Sequence, residues 1–121
     1  KEELPAVSVS QIQVLRAIKK ICDKHHTNLK FIIGPDYFQK KTNREDIKRM
    51  KEILGASAVW DFTGTNEYTA DIHHYYDPGH YRPLLGARLL KVIYQDSAPA
   101  GYENNPIATS NNTKTSFTPN R

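Results

Sequence analysis

The sequence predicts an α/β fold, part of a three-layer sandwich with a parallel sheet that this chain leaves incomplete. Three observations predict it. Helix and strand patterns alternate along the chain, which favours a parallel sheet with helices on its faces. Both strand candidates are short apolar runs of the kind that are buried on both faces of such a sheet. Since two strands would leave both sheet edges unpaired, we expect an upstream segment or a second chain to complete the sheet.

The first helix is predicted over Ser10–His26, and the first strand follows it. Ser10 and Gln13 have the spacing of a capping box at the start of a helix. The apolar face of this helix is expected to comprise Val14, Leu15, Ile18, Ile21 and Cys22. The next run, LKFIIG, is almost wholly apolar and is broken by Gly34 and Pro35, so it predicts a buried strand.

The second helix is predicted over Asn43–Leu54, and the second strand follows it. Thr42 and Glu45 have the spacing of a capping box, and Gly55 stands where a left-handed C-cap is expected. The run SAVWDF then predicts a second buried strand, which ends at the Thr63–Gly64 pair. A polar loop leads from there to the last helix.

The last helix is predicted to begin at Pro83, because proline lacks the N–H group that the first helical turn leaves unpaired. Its buried side is expected to comprise Leu85, Leu89, Leu90, Val92 and Ile93. Residues 96–121 are rich in Asn, Thr, Ser and Pro, with one N-glycosylation pattern at Asn111, and they predict a polar, flexible tail. The folded domain is therefore assigned to residues 1–95.

Composition and charge exclude some classes of function. Of the 121 residues 38% are hydrophobic, and no stretch is long and apolar enough to cross a bilayer, so we expect no membrane span. The net charge is +4, but many cations lie on the polar sides of the predicted helices, where a solvated face explains them, and we expect no nucleic-acid partner. The opening KEELPAVSVS lacks an initiator Met and a signal peptide, so we expect an excerpt of a longer protein.

The densest chemistry lies in HHYYDPGHYRPLLG, residues 73–86. Asp77 and His80 are three positions apart, and the Pro78-Gly79 pair between them favours a tight turn. Such a turn can bring the carboxylate onto one ring nitrogen, which fixes the tautomer and leaves the other nitrogen free to take a proton from a nucleophile. The alternative is that Asp77 caps a turn and His80 caps the next helix, with no catalytic role.

VWDFTGTNEYT followed by YYDPGHYRPLLGARLL resembles the C-terminal end of SGNH hydrolases, the GDSL-type esterase and acyltransferase superfamily. In that family an Asp-x-x-His block precedes the last helix of an SGNH/flavodoxin-like sandwich. The resemblance covers roughly Leu29–Tyr94 and implies that Asp77 orients His80, which is the general base for a serine that attacks an ester. It implies a small-molecule or glycan ester as substrate. Because similar bacterial proteins act at the cell envelope, it also implies an exported or envelope protein.

The nucleophile of that family lies in a Gly-Asp-Ser motif after the first strand, and this chain has no such motif. Ser57 precedes its predicted strand and so lies at the opposite sheet edge, while Ser8 and Ser10 lead into a helix with no strand before it. The chain is therefore expected to supply only the Asp-x-x-His limb of a Ser-His-Asp site, to need no cofactor, and to have little activity alone.

Two other functions stay open. Imidazole and carboxylate groups that could bind a metal occur within ten positions at Asp71, His73, His74, Asp77 and His80. A degenerate SGNH half-domain could instead be a non-catalytic module that binds a partner or a glycan. Tyr75, Tyr76 and Tyr81 could stack on bases or sugars, but packing over the sheet edge is their expected role.

Overall fold

The computed structural model describes residues 1–95, and in that range the chain has the predicted mixed α/β character. Its helices are α1 (Val9–Lys24), α2 (Arg44–Leu54) and α3 (Pro83–Gln95). Its strands are β1 (Phe31–Ile33), β2 (Val59–Asp61), β3 (Tyr75–Asp77) and β4 (His80–Tyr81). β1 and β2 pair in parallel, whereas β3 and β4 form an antiparallel hairpin after a 3₁₀ turn at Ile72–His74. The expected tail, with Asn111, lies outside the described residues.

α1 begins one residue and ends two residues before the predicted bounds. Its N-cap is Ser8, whose Oγ accepts a hydrogen bond from the Gln11 backbone N–H at 3.3 Å. The Gln11 side chain in turn accepts from the Ser8 backbone N–H at 2.8 Å, so the capping box is Ser8–Gln11 rather than Ser10–Gln13. Both pairs have the same spacing, and spacing alone could not choose between them.

The N-cap of α2 lies one residue after the predicted cap, Thr42. Asn43 is the N-cap, and its Oδ1 accepts from the Glu45 backbone N–H at 2.9 Å. Thr42 is used differently, because its backbone N–H donates to the Thr63 hydroxyl at 3.0 Å. Gly55 does have a positive φ of 102°, but its ψ of 138° lies outside the left-handed helical region.

The parallel sheet separates two apolar clusters. β1 and β2 are in the register Phe31–Val59, Ile32–Trp60 and Ile33–Asp61. The first cluster lies beneath α1 and α2 and is built on Leu15, Met50, Leu54, Ala58 and Val59. The second lies beneath α3 and the hairpin and is built on Phe62, Tyr75, Leu85, Leu89 and Ile93. Because neighbouring residues of a strand point to opposite faces, Val59 and Trp60 contribute to different clusters, and helices cover both faces of the sheet.

Several apolar side chains that were expected to be buried are exposed. On α1 only Leu15 is buried, whereas Val14, Ile18 and Ile21 are 57%, 39% and 60% exposed. On α3 Leu85, Leu89 and Ile93 are buried, but Leu90 is half exposed. The two strands are also each other's only sheet partners within residues 1–95. The described chain therefore has a small parallel sheet with open edges, and a complete three-layer SGNH/flavodoxin-like sandwich remains a prediction.

The three helices of the described range each bury one face against an apolar cluster. None of them combines the length and the apolar character that a membrane span requires.

Candidate active-site hairpin

Asp77 and His80 face each other across the turn of the β3–β4 hairpin. The Nδ1 atom of His80 lies 2.9 Å from Oδ1 and 3.0 Å from Oδ2 of Asp77. The Gly79 backbone N–H also donates to Oδ1 of Asp77, at 2.7 Å, so the carboxylate is fixed by the turn itself. Within the described range Nε2 of His80 has no hydrogen-bond partner, and the side chain is 77% exposed. The imidazole is therefore oriented through one nitrogen and open to solvent through the other.

The charge state of Asp77 suits this arrangement. The hydrogen bond with His80, followed by the one from the Gly79 backbone N–H, lowers the pKa of the Asp77 carboxyl below its ordinary value. A carboxylate at that position keeps the proton of the ring on Nδ1, which leaves Nε2 as the basic nitrogen of the neutral imidazole. The pair can thus accept a proton at Nε2 and stabilise the imidazolium that results.

The hairpin lies at the carboxyl end of β1. Tyr81, next to His80, packs against Gly34, the residue that follows β1, and a methyl group on Gly34 would come within 3.5 Å of the Tyr81 ring. Tyr37, in the loop after β1, meets Tyr75 of β3 edge to face with ring centres 5.4 Å apart. Ligands of open parallel sheets bind beyond this edge, so the position fits a binding site.

The other side of the Tyr81 ring meets the start of α3. A methyl group on Gly86 would lie 3.4 Å from that ring, so Tyr81 sits between two glycines. Tyr75 is buried in the second cluster, and Tyr81, although 41% exposed, packs against the two glycines, so both tyrosines have packing contacts. Tyr76 differs, because its ring is exposed and the Arg82 guanidinium stacks on it with Cζ 4.5 Å from the ring centre.

A second Asp–His pair lies just before the hairpin. Nδ1 of His73 lies 2.8 Å from Oδ1 of Asp71, the residue that caps the 3₁₀ turn. Burial would raise the pKa of the Asp71 carboxyl, but hydrogen bonds from the His73 backbone and ring outweigh it and lower that pKa. The His73 side chain is 87% exposed, and the residue precedes the hairpin strands rather than lying in them. It therefore provides a natural control for His80.

His74 is held apart from both pairs. Its Nδ1 bonds to the Tyr68 carbonyl oxygen at 3.0 Å, and its Nε2 lies 3.4 Å from the Arg88 guanidinium. In residues 1–95 no three His, Cys, Asp or Glu side chains are grouped so that they could hold a metal ion. The candidate metal ligands at 71–80 thus form two separate Asp–His pairs with His74 in neither, and the residues described give the metal-site alternative no grouped set of ligands.

A polar cluster that the sequence did not indicate lies at the end of β2. The Lys41 ammonium and the Thr63 hydroxyl both donate to the carboxylate of Asp61, the last residue of the strand. Burial would raise the pKa of Asp61, but these hydrogen bonds outweigh it and lower that pKa. All the groups of this cluster are satisfied by one another, so we assign it the structural task of tying the loop after β1 to β2. The pairing joins residues 20 positions apart, and no local pattern could reveal it.

No serine in the described range forms a hydrogen bond with the hairpin. Ser8 caps α1 and its hydroxyl pairs with that of Ser10 at 3.0 Å. Ser57 lies in the turn before β2, at the amino end of that strand. The remaining serines fall in residues 96–121, outside the described residues. The hairpin therefore holds an imidazole and the carboxylate that orients it, and no serine in residues 1–95 is hydrogen-bonded to either.

Comparisons of the chain with known proteins found no relative. No family profile, curated protein or solved structure matches the chain. The chemistry of the hairpin has to be inferred from its own geometry.

Proposed function

We propose that the β3–β4 hairpin supplies the Asp-x-x-His limb of a serine ester hydrolase or O-acyltransferase of the SGNH type. The serine would come from polypeptide outside this chain. The observation that carries the proposal is the contact of the Asp77 carboxylate with Nδ1 of His80, together with an exposed His80 side chain whose Nε2 has no hydrogen-bond partner in residues 1–95. The position of the hairpin beyond the carboxyl end of β1 supports it.

The reaction follows from the two ring nitrogens. Nε2 of His80 takes the proton of the serine hydroxyl as its oxygen attacks the ester carbonyl, and Asp77 stabilises the imidazolium at Nδ1. The same proton then passes to the departing alkoxide, which leaves an acyl-serine. Water completes a hydrolysis and an alcohol completes an acyl transfer, with His80 again accepting the proton of the attacking group. The backbone donors that stabilise the oxyanion would also lie outside this chain.

The substrate class and location follow from the resemblance rather than from the hairpin. The proposal extends to an ester of a small molecule or glycan and to an exported or cell-envelope setting. No cofactor enters the reaction, because serine, imidazole and carboxylate suffice for acyl transfer.

A covalent serine-hydrolase probe tests the proposal on a longer polypeptide, one that joins this chain to the upstream segment that the proposal requires. We expect a fluorophosphonate to label a serine upstream of Lys1, and His80→Ala to slow labelling by about 10³-fold or more because the serine loses its base. His73→Ala is the matched control, since it removes a similarly exposed histidine from the neighbouring Asp–His pair. Equal loss in both variants, or none in His80→Ala, would contradict the proposal.

One set of observations favours a second candidate, a non-catalytic interaction module. Both sheet edges are open within residues 1–95, and Val14, Ile18 and Ile21 form an apolar stripe on α1 that nothing in this range covers. If the longer polypeptide folds and binds a partner in gel filtration but no serine reacts with the probe, the module is the correct function and the esterase is not.

A further inference from the structure

We propose that Arg82 forms an oxyanion-binding site beside His80, so that the ester taken at the hairpin carries a carboxylate or phosphate group. That the ligand is an ester substrate rests on the proposed function, whereas the binding of an oxyanion by Arg82 does not. Four features of Arg82 lead to this assignment: its backbone is fixed, its side chain is oriented, its outer donors have no partner in residues 1–95, and it is two positions from His80 along the chain.

The backbone of Arg82 is anchored on both sides. Its N–H donates to the His74 carbonyl at 2.7 Å, which continues the hairpin ladder by one residue. Its carbonyl oxygen accepts from the N–H groups of Leu85 and Gly86 at 3.0 and 3.2 Å, in the first turn of α3. The residue is therefore held where the hairpin joins the helix.

The side chain is held as well. Nε of Arg82 donates to the Tyr75 carbonyl at 3.3 Å, and Cζ lies 4.5 Å from the centre of the Tyr76 ring. A guanidinium stacked on an aromatic face keeps its plane and its charge while its edge stays open to other partners. The ordering that an incoming anion would otherwise have to impose on a long side chain is thus largely in place.

The outer donors of Arg82 have no partner in the described part of the chain. No carboxylate in residues 1–95 lies within ion-pair distance of its guanidinium, and neither Nη atom makes a hydrogen bond there. Arg88 differs, because it pairs with Glu67 at 3.4 Å and contacts His74. The planar edge of Arg82 matches the geometry of carboxylate and phosphate oxygens, which accept two parallel hydrogen bonds.

Arg82 is two positions after His80, at the point where the hairpin leads into α3. His80 and Arg82 flank Tyr81, whose ring turns inward against Gly34 and Gly86. In an extended segment, side chains two positions apart share a side and their Cα atoms are about 7 Å apart, at about 3.3 Å per residue, so we infer that His80 and Arg82 lie on the same side of the hairpin. An anionic group bound at Arg82 would place the rest of a small substrate within reach of Nε2.

An NMR titration of the chain tests the site without any need for a serine. Inorganic phosphate and acetate are added at constant ionic strength with chloride as the balancing ion, and the Nε–H signal of Arg82 and the amide of Leu84 are followed. We expect a saturable shift, weakened about tenfold or more in Arg82→Gln because two charge-assisted hydrogen bonds are lost. The anion that binds more tightly identifies the group on the substrate.

Three variants make the result specific. Arg88→Gln removes the same charge from a paired arginine and should bind the anions as the native chain does. Arg82→Lys keeps the charge but not the planar edge and should bind several-fold more weakly than the native chain. His80→Ala should still bind, which separates this site from the Asp–His pair.

Two outcomes overturn the inference: shifts that grow linearly without saturation, or saturable binding that Arg82→Gln leaves unchanged. If the anions bind at Arg82 but the serine-hydrolase probe shows no dependence on His80, the oxyanion site stands and the esterase function fails. If the probe depends on His80 but no anion binds, the function stands and the oxyanion site fails.

Discussion

At the scale of the residue, the candidate site depends on one carboxylate and one imidazole in a short turn. The Asp-Pro-Gly-His spacing was sufficient to predict their contact, because the turn is local and closes over three positions. The exposure of Nε2 and the place of Arg82 could not be predicted this way. Both depend on the place of the hairpin in the fold, where Tyr81 packs between Gly86, five positions later, and Gly34, 47 positions earlier.

The Asp77–His80 contact has a definite dependence on pH. Because the pKa of Asp77 is lowered in the folded chain, the stabilisation is fully present above the ordinary carboxyl pKa and is lost as the pH falls through the lowered value. We expect the carboxyl carbon of Asp77, followed by NMR, to titrate at a higher pH in His80→Ala than in the native chain. His73→Ala should leave this midpoint where it is. An unmoved midpoint in His80→Ala would show that the contact is absent in solution.

At the scale of the element, the order of helices and strands was predictable but the caps were not. Alternating patterns gave each helix its approximate range, since periodicity is summed over many residues. A cap is decided by one side chain, and Ser8 and Ser10 compete for the same role. The sequence predicted a loop where the structure has the hairpin. β3 and β4 have only three and two residues, which is too short to produce a recognisable alternating pattern.

The cap of α1 gives a direct comparison of two serines. Ser8→Ala should lower the free energy of unfolding by about 1 kcal/mol, because the Gln11 backbone N–H loses its acceptor. Ser10→Ala should change it by less than half as much, since Ser10 lies inside the helix and is exposed. Urea unfolding followed by circular dichroism measures both. A larger loss for Ser10→Ala would restore the cap predicted from the sequence.

The two sides of α1 should differ in their contribution to stability. Leu15→Ala should lower the free energy of unfolding by about 2–4 kcal/mol, because it leaves a cavity in the first cluster. Ile21→Ala should lower it by less than about 1 kcal/mol, as its side chain is 60% exposed. The same urea experiment compares them. Equal losses would mean that the stripe on α1 is covered in solution.

At the scale of the whole molecule, the chain has a core on each face of a sheet that is only two strands wide. Sequence patterns predicted this shortage, because two strand candidates cannot give a wider sheet. They could not show which apolar residues would stay uncovered. A helical period shows which side chains share a face, but the width that is buried depends on what packs against it.

The central claim is that the Asp77–His80 pair does acid–base chemistry on an ester. Its most direct test is kcat for ester hydrolysis by the longer polypeptide, compared with that of an Asp77→Ala, His80→Ala double variant. A reduction of about 10³-fold or more, with His73→Ala within twofold of the native rate, is the result that the claim requires. A kcat in the double variant equal to that of the native protein would contradict the claim and show that the hairpin has only a structural role.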